Sequence, residues 1–325
     1  MLKRIDAWQQ RRRFVSLVVA TFLRYREDRG RQSGALLSYY GFVSLFPLLL
    51  VLVTVLGIVL DDNDDLRNRV LDTIYARIPV LGAELRESPT SLDSSGVALL
   101  LGVLVSLWAG LAVVKHAQDA LNLQWSVPWY GRPRFLERNM RAFGTLMVVG
   151  AGILAATATT NLVAFLPELH GLWRVLAAIA AIVVNIAVLT ASLRVLITSP
   201  VAWRLLLPGG VVGGVAFWFL QLIGGEYVAR VVLDASDVYG AFAVMFGLLV
   251  WIALLARVTL LADELNVVRA GQLWPRSITG RRPTDGDRRA LDASLKRSAL
   301  FREALDEPPR GLVPERGGSE PPGPQ

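Results

Sequence analysis

Residues 34–60 read GALLSYYGFVSLFPLLLVLVTVLGIVL. The stretch has no charged residue and exceeds the roughly 20 apolar residues needed to cross a bilayer. It therefore predicts a membrane helix. Two features complicate that reading. Ser38, Tyr39, Tyr40 and Ser44 crowd its first half, and Pro47 sits near its middle. A proline cannot donate to the carbonyl four residues back, so Val43 loses its ladder partner inside the membrane. Ser44 is close enough in sequence to help satisfy that freed backbone.

Five further stretches satisfy the same rule. The spans are placed near 34–60, 96–114, 142–166, 172–197, 207–233 and 239–262. Composition agrees: 53% of the 325 residues are hydrophobic, only 19% are charged, and the mean hydropathy is +0.45. The expected class is an all-α integral membrane protein with six transmembrane helices. With no cysteine, disulfides and thiolate metal sites are excluded.

The charges sort the two sides. Residues 1–33 carry Lys3, Arg4, Arg11, Arg12, Arg13, Arg24, Arg26, Arg29 and Arg31, and loop 115–141 carries Lys115, Arg132, Arg134, Arg138 and Arg141. Loop 61–95 instead opens on Asp61, Asp62, Asp64 and Asp65. The positive-inside rule then places both termini in the cytoplasm, in an inner (plasma) membrane, which an even number of spans requires. The net charge of +7 is accounted for by topology and by anionic lipid headgroups, so nucleic acid is not an expected partner.

Three regions follow. Residues 1–33 form a cytoplasmic segment with an interfacial amphipathic helix, Phe14, Leu17, Val18, Phe22 and Tyr25 facing lipid. Residues 34–268 form the membrane domain. Within it, Leu66, Val70, Ile74 and Ile78 predict an extracytoplasmic amphipathic helix between spans 1 and 2. Residues 269–325 are basic and rich in Pro and Gly. They read as largely disordered, with one short helix around 288–306.

No HExxH, P-loop or GxSxG pattern occurs, and the two histidines, His116 and His170, are expected on opposite sides of the membrane. No enzyme, metal or cofactor is expected. The candidate functional residues are polar ones at mid-depth: Pro47 and Ser44 in span 1, Asn185 in span 4, Gln221 in span 5. They are expected to line a substrate site, or simply to bond neighbouring helices at roughly 0.6–2 kcal/mol each. Gly210, Gly214, Phe217, Gln221 and Gly225 fall on one helix face, where glycines permit close helix packing or leave a groove. Arg257 and Glu264, seven residues apart on one face, are expected to share an ion-pair network.

Three blocks carry a family resemblance: GALLSYYGFVSLFPLLL at 34–50, QDALNLQWSVPWYGRPRFLERN at 118–139, and YGAFAVMFGLLVWIALLARVTLLADELNVVRAGQLWPRS at 239–277. Together they resemble the YihY/virulence factor BrkB family of six-span bacterial inner-membrane proteins, over roughly residues 10–277. The matching signature positions are Ala35, Ser38, Tyr39, Tyr40, Ser44, Phe46 and Pro47, then Tyr239, Gly240, Glu264, Leu265 and Asn266. Where the family often has Gly-Ala-Glu-Leu-Asn, this chain has Ala262-Asp263-Glu264-Leu265-Asn266, adding an acid. Members once carried the label ribonuclease BN, which is regarded as mistaken. The resemblance implies transport or translocation of a lipid-like or small amphiphilic envelope component. The alternative is a non-transporting scaffold for envelope integrity, acting through its cytoplasmic loop and tail. Membrane lipids are the expected partners; self-association and protein partners are left open.

Overall fold

The computed structural model describes residues 2–59, 96–164, 170–233, 240–280 and 283–306. Among them are nine α-helices and no strand: α1 (Leu2–Arg11), α2 (Arg13–Glu27), α3 (Gly30–Val59), α4 (Gly96–Gln124), α5 (Phe135–Ala164), α6 (His170–Leu196), α7 (Trp203–Leu233), α8 (Gly240–Ala270) and α9 (Asp285–Asp306). A 3-10 turn, Trp129–Gly131, lies between α4 and α5. The expected amphipathic helix in loop 61–95 lies outside the described residues.

Helices α3 to α8 hold 27–31 residues each. At 1.5 Å per residue a 30-residue helix runs about 45 Å, more than a hydrocarbon core requires. Three of them contain described stretches long and apolar enough to cross a membrane: Val175–Leu196, Trp203–Gly224 and Met245–Ala270. Each of the six packs on its chain neighbour, and α8 returns to α3, so they close into a ring. Alternating chain direction then brings the start of α3, α5 and α7 to the same end as the close of α4, α6 and α8.

That end holds the tightly packed core. Leu121, Leu193, Leu206 and Leu260 are almost fully buried there, and the cluster joins α2 through α8. Further along the helices, large apolar side chains face outward, among them Leu104 and Trp108 on α4 and Phe219 and Leu222 on α7. Lipid satisfies such groups without cost, so burial there need not be complete.

Helix α2 departs from its expected orientation. Phe14 and Phe22 do face outward, but Tyr25 is only 6% exposed and joins the core. The cause is local. Arg29 adopts positive φ (55°) to turn the chain from α2 into α3, and the Tyr25 ring then covers Gly30 so closely that any Cβ there would collide with it.

The segment after 269 also differs from expectation. Little order is predicted there beyond a helix near 288–306, yet residues 271–280 and α9 are tied to the N-terminal helices. Gln9 donates to the Arg276 carbonyl at 2.7 Å. Arg276 reaches Glu27 at 2.6 Å and Asp287 at 2.9 Å. Asp6 accepts from the Ser277 and Thr279 hydroxyls, both at 2.9 Å, and from the Ile278 N–H at 3.1 Å. Burial alone would raise the Asp6 pKa, but these donors and Gln9 outweigh it and hold the carboxyl below its usual range. The tail docks because polar partners a whole chain-length away meet it, which a local composition reading does not register.

Candidate functional site

Faces of four helices line a half-open cavity of about 640 Å³. Helix α5 contributes Thr145, Val149 and Gly152; α6 contributes Val184, Asn185, Val188, Leu189 and Ser192; α7 contributes Phe217 and Gln221; α8 contributes Trp251, Leu255 and Thr259. Spacings of three, four and seven residues put each set on one helix face. The volume lies within the range of small-molecule sites.

Its polar groups are few and uncharged. Asn185 Nδ2 donates to Gln221 Oε1 and Gln221 Nε2 donates to Asn185 Oδ1, both at 3.3 Å. Both bonds are long for N–H···O, so the pair is weakly held. Asn185 is better anchored by its 2.9 Å bond to the Ala181 carbonyl. The Thr145 and Thr259 hydroxyls are spent on their own helices, on Arg141 and Leu255 carbonyls. Ser192 Oγ has no partner among the described residues. The available chemistry is therefore two amides and one hydroxyl in an apolar wall. That suits a molecule with a long apolar part and a small uncharged polar group.

Of the mid-depth residues read from sequence, Asn185 and Gln221 meet. Ser44 is not among the described residues lining the cavity. It donates to the Gly41 carbonyl at 2.8 Å, not to the Val43 carbonyl that Pro47 leaves free. The helix runs on through Pro47 to Val59, and the Pro47 side chain lies outside the described residues.

The glycine face of α7 is a packing surface. A Cβ on Gly214 would sit 2.7 Å from the Ile186 backbone nitrogen, and one on Gly210 would collide with Thr190. Gly225 lies on the same helix, with surroundings outside the described residues. The neighbouring Gly209 and Gly213 pack against α8 in the same way. These contacts draw α6, α7 and α8 together along one length and leave the space around Asn185 and Gln221 beyond it.

A second polar cluster lies at the tightly packed end. Asp263, Glu264 and Asn266 on α8 are fully buried, as are Gln118 and Asn122 on α4 to within 1%. Most of this polarity laces helices together. Trp125 Nε1 donates to both Asp263 oxygens, at 3.1 and 3.0 Å. Asn266 Oδ1 accepts the Gly209 N–H at 2.7 Å, and Asn122 Oδ1 accepts the Thr198 N–H at 2.9 Å. Arg24 and Asp28 lie 2.9 Å apart on α2.

Arg257 and Glu264 do not pair, contrary to the expectation. Arg257 is exposed and its stem lies near Gly34 on α3. Glu264 has Asp28, Arg24 and Asp263 as its charged neighbours. Seven residues is two turns, about 10 Å along α8, so the two side chains share a face but sit at different levels, Arg257 where that face is exposed and Glu264 where it is packed over. Gln124 lies beside Glu264 but gives its N–H to the Leu260 carbonyl at 3.2 Å, so both Glu264 oxygens lack a hydrogen-bond partner among the described residues.

Of the signature positions, Tyr39 is exposed and Tyr40 stacks on His116 with ring centroids 4.0 Å apart. Gly240 opens α8, and Tyr239 lies outside the described residues. Sequence reasoning missed Gln118, Asn122 and Gln124, and read Trp125 as part of a partner-binding loop. Their signal was a helical spacing, Gln118-Leu121-Asn122-Trp125, in a stretch whose polarity reads as loop. Among the described residues no group of three or more His, Asp and Glu is placed to hold a metal ion.

Comparison with known proteins follows the same ground. The sequence profile described as Virulence factor BrkB matches residues 21–284. The inner membrane protein YhjD of Escherichia coli (strain K12) is 27% identical over 158 residues, covering 46% of this chain and 46% of its own length. A UPF0761 membrane protein of Laribacter hongkongensis (strain HLHK9) is 26% identical over 290 residues, 83% of this chain and 64% of that one. A protein of Bacillus subtilis (strain 168) named as ribonuclease-like, YfkH, is 22% identical over 276 residues, 78% of this chain and 95% of its own. The chain thus spans about half the length of YhjD and less than two thirds of the UPF0761 protein. No solved structure matches.

Proposed function

The chain belongs to the virulence factor BrkB family, and we propose that this membrane protein moves a lipid-like or small amphiphilic envelope molecule. The observation that carries the reading is the 640 Å³ cavity, apolar in its walls and neutral in its polar groups, with half-buried Asn185 and exposed Gln221 paired on its lining. Such a wall accepts an acyl or isoprenoid chain at little cost relative to the lipid that the chain leaves. The paired amides give a polar group one place to stop. The weak 3.3 Å pairing lets a substrate hydroxyl or amide replace either partner without leaving a dry, unsatisfied group.

In this reading α3 to α8 are six spans of the bacterial inner membrane, with both termini on the cytoplasmic side. Support comes from helix length, from the outward apolar side chains and from the arginine-rich loop between α4 and α5. The inner-membrane name of YhjD agrees. The protein acts by transfer rather than by bond cleavage. A labelled lipid followed between leaflets of vesicles containing the purified chain tests this. Transfer no faster than in protein-free vesicles would remove the proposal.

The scaffold reading has one observation in its favour. Arg276 and Ser277 are held on α1 and α2 by polar bonds, and α9 is tied to both through Asp287, which would present a fixed cytoplasmic face to partners. Under that reading loss of the tail abolishes function, while cavity substitutions leave it intact.

A further inference from the structure

A smaller cavity of about 200 Å³ lies between the start of α3 and the end of α4, lined by Ser33, Leu36, His116, Asp119, Leu123 and Arg132, with Ala120 behind. The charges around its Asp119 do not cancel. Asp119 is shared by two guanidiniums, that of Arg132 in the lining, Nη1 at 3.3 Å, and that of Arg138 outside it, Nη2 at 2.7 Å. One carboxylate against two arginines leaves a net positive charge. The site is also half sheltered: the side chains of Arg132, Arg138 and Asp119 are 30%, 35% and 37% exposed. A partly desolvated cation excess of this kind attracts an anion more strongly than free surface charge does.

The supporting geometry is ordered. Arg138 is braced by the Lys115 carbonyl at 3.3 Å. His116 is held by its stack on Tyr40, with ring planes 15° apart. The Ser33 hydroxyl adds a neutral donor at the rim. Planar guanidiniums match phosphate oxygens in pairs, which ammonium groups do not. Leu36 in the lining is apolar and exposed. The volume admits a headgroup but not a whole lipid, and Leu36 offers apolar surface to the start of an acyl chain.

We propose that this pocket binds a phosphate-ester anion through Arg132 on its wall, with Arg138 behind Asp119 supplying the second positive charge and Ser33 and His116 in the lining, the lipid form being an anionic phospholipid headgroup. The pocket is separate from the central cavity, so binding here holds whether the chain transfers lipid or only resides among it. The bound anion completes the neutralisation that Asp119 performs for one arginine only.

Native mass spectrometry of the full chain released from detergent tests it, with phosphatidylglycerol and phosphatidylcholine as probes. Phosphatidylglycerol should be retained in preference, and Arg132→Gln with Arg138→Gln should lower that retention about tenfold, the scale of one charge-assisted bond. Arg204→Gln, whose guanidinium lies over Trp203 on α7, should change nothing. Inorganic phosphate at millimolar concentration separates two sources of the recognised group. Displacement of the lipid places recognition in the phosphate alone; retention places it in headgroup and chains together. Equal retention of the two lipids, or an unchanged preference in the double variant, would overturn the proposal. If the double variant does not fold, Arg132→Gln alone carries the comparison, with Arg132→Lys falling between it and the unaltered chain.

Discussion

Asn266 Oδ1 accepts the backbone N–H of Gly209 at 2.7 Å, binding the end of α8 to the first turns of α7. The contact is so close that a Cβ on Gly209 would collide with the Ala262 carbonyl. Asn266 is a signature position, and this bond supplies a structural reason for the residue type. Asn266→Ala should cost about 1–3 kcal/mol, because a buried bond that joins α8 to α7 is lost. Gly209→Ala should be worse and should fail to give folded protein. Thermal unfolding in detergent checks both; a Gly209→Ala chain as stable as the original would refute the close packing.

Trp125 and Asp263 form the second tie. Trp125→Phe removes the donor to both carboxylate oxygens and should destabilise by about 1–3 kcal/mol. Adding Asp263→Leu should recover part of that loss, since removing both partners leaves nothing unsatisfied. A double variant whose cost equals the sum of the singles would show that the pair is not coupled.

The tail dock has a defined pH response. Asp6 and Asp287 are both held below the ordinary carboxylate range; burial opposes this and the donors around each carboxylate prevail. A group with a depressed native pKa stabilises the dock above its ordinary value, about 4, and the contribution is lost only as pH falls through the lower native values. Amide exchange at Ser277 to Gly280 should therefore stay slow at pH 5 and 7, after correction for intrinsic rates, and quicken under strong acid. Asp6→Asn should quicken it at every pH. Exchange already fast at pH 7 in the unaltered chain would exclude the dock.

Orientation is open to direct labelling because the chain has no cysteine. Ser294→Cys on α9 should resist an impermeant maleimide added to intact spheroplasts, whereas Ser94→Cys in loop 61–95 should react. The opposite pattern would invert the topology.

How much was readable in advance follows from what each signal encodes. Apolar length revealed the long helices, and hydropathy also revealed that Asn185 and Gln221 share a depth. Depth is one coordinate only. Pro47 on α3 is expected at the same depth, but the cavity's described lining comes from α5 to α8, and ring order depends on side-chain packing far apart in sequence. Likewise α4 was expected to end near 114 and continues to Gln124. Its last turns carry Gln118, Asn122 and Gln124, which a hydropathy reading assigns to water. Gln124 donates to the Leu260 carbonyl on α8 and Asn122 accepts the Thr198 N–H just past α6, while both Gln118 amide atoms are buried without a partner among the described residues.

The most direct test is leaflet-to-leaflet lipid transfer in vesicles, comparing the unaltered chain with Asn185→Leu/Gln221→Leu. That variant removes the cavity's paired amides and leaves no partner unsatisfied, so the fold should stand. The account predicts transfer above the protein-free rate for the unaltered chain and a fall of about tenfold or more in the variant, the loss of one or two bonds to the moving group. Equal rates in the two chains, with both folded, would contradict it.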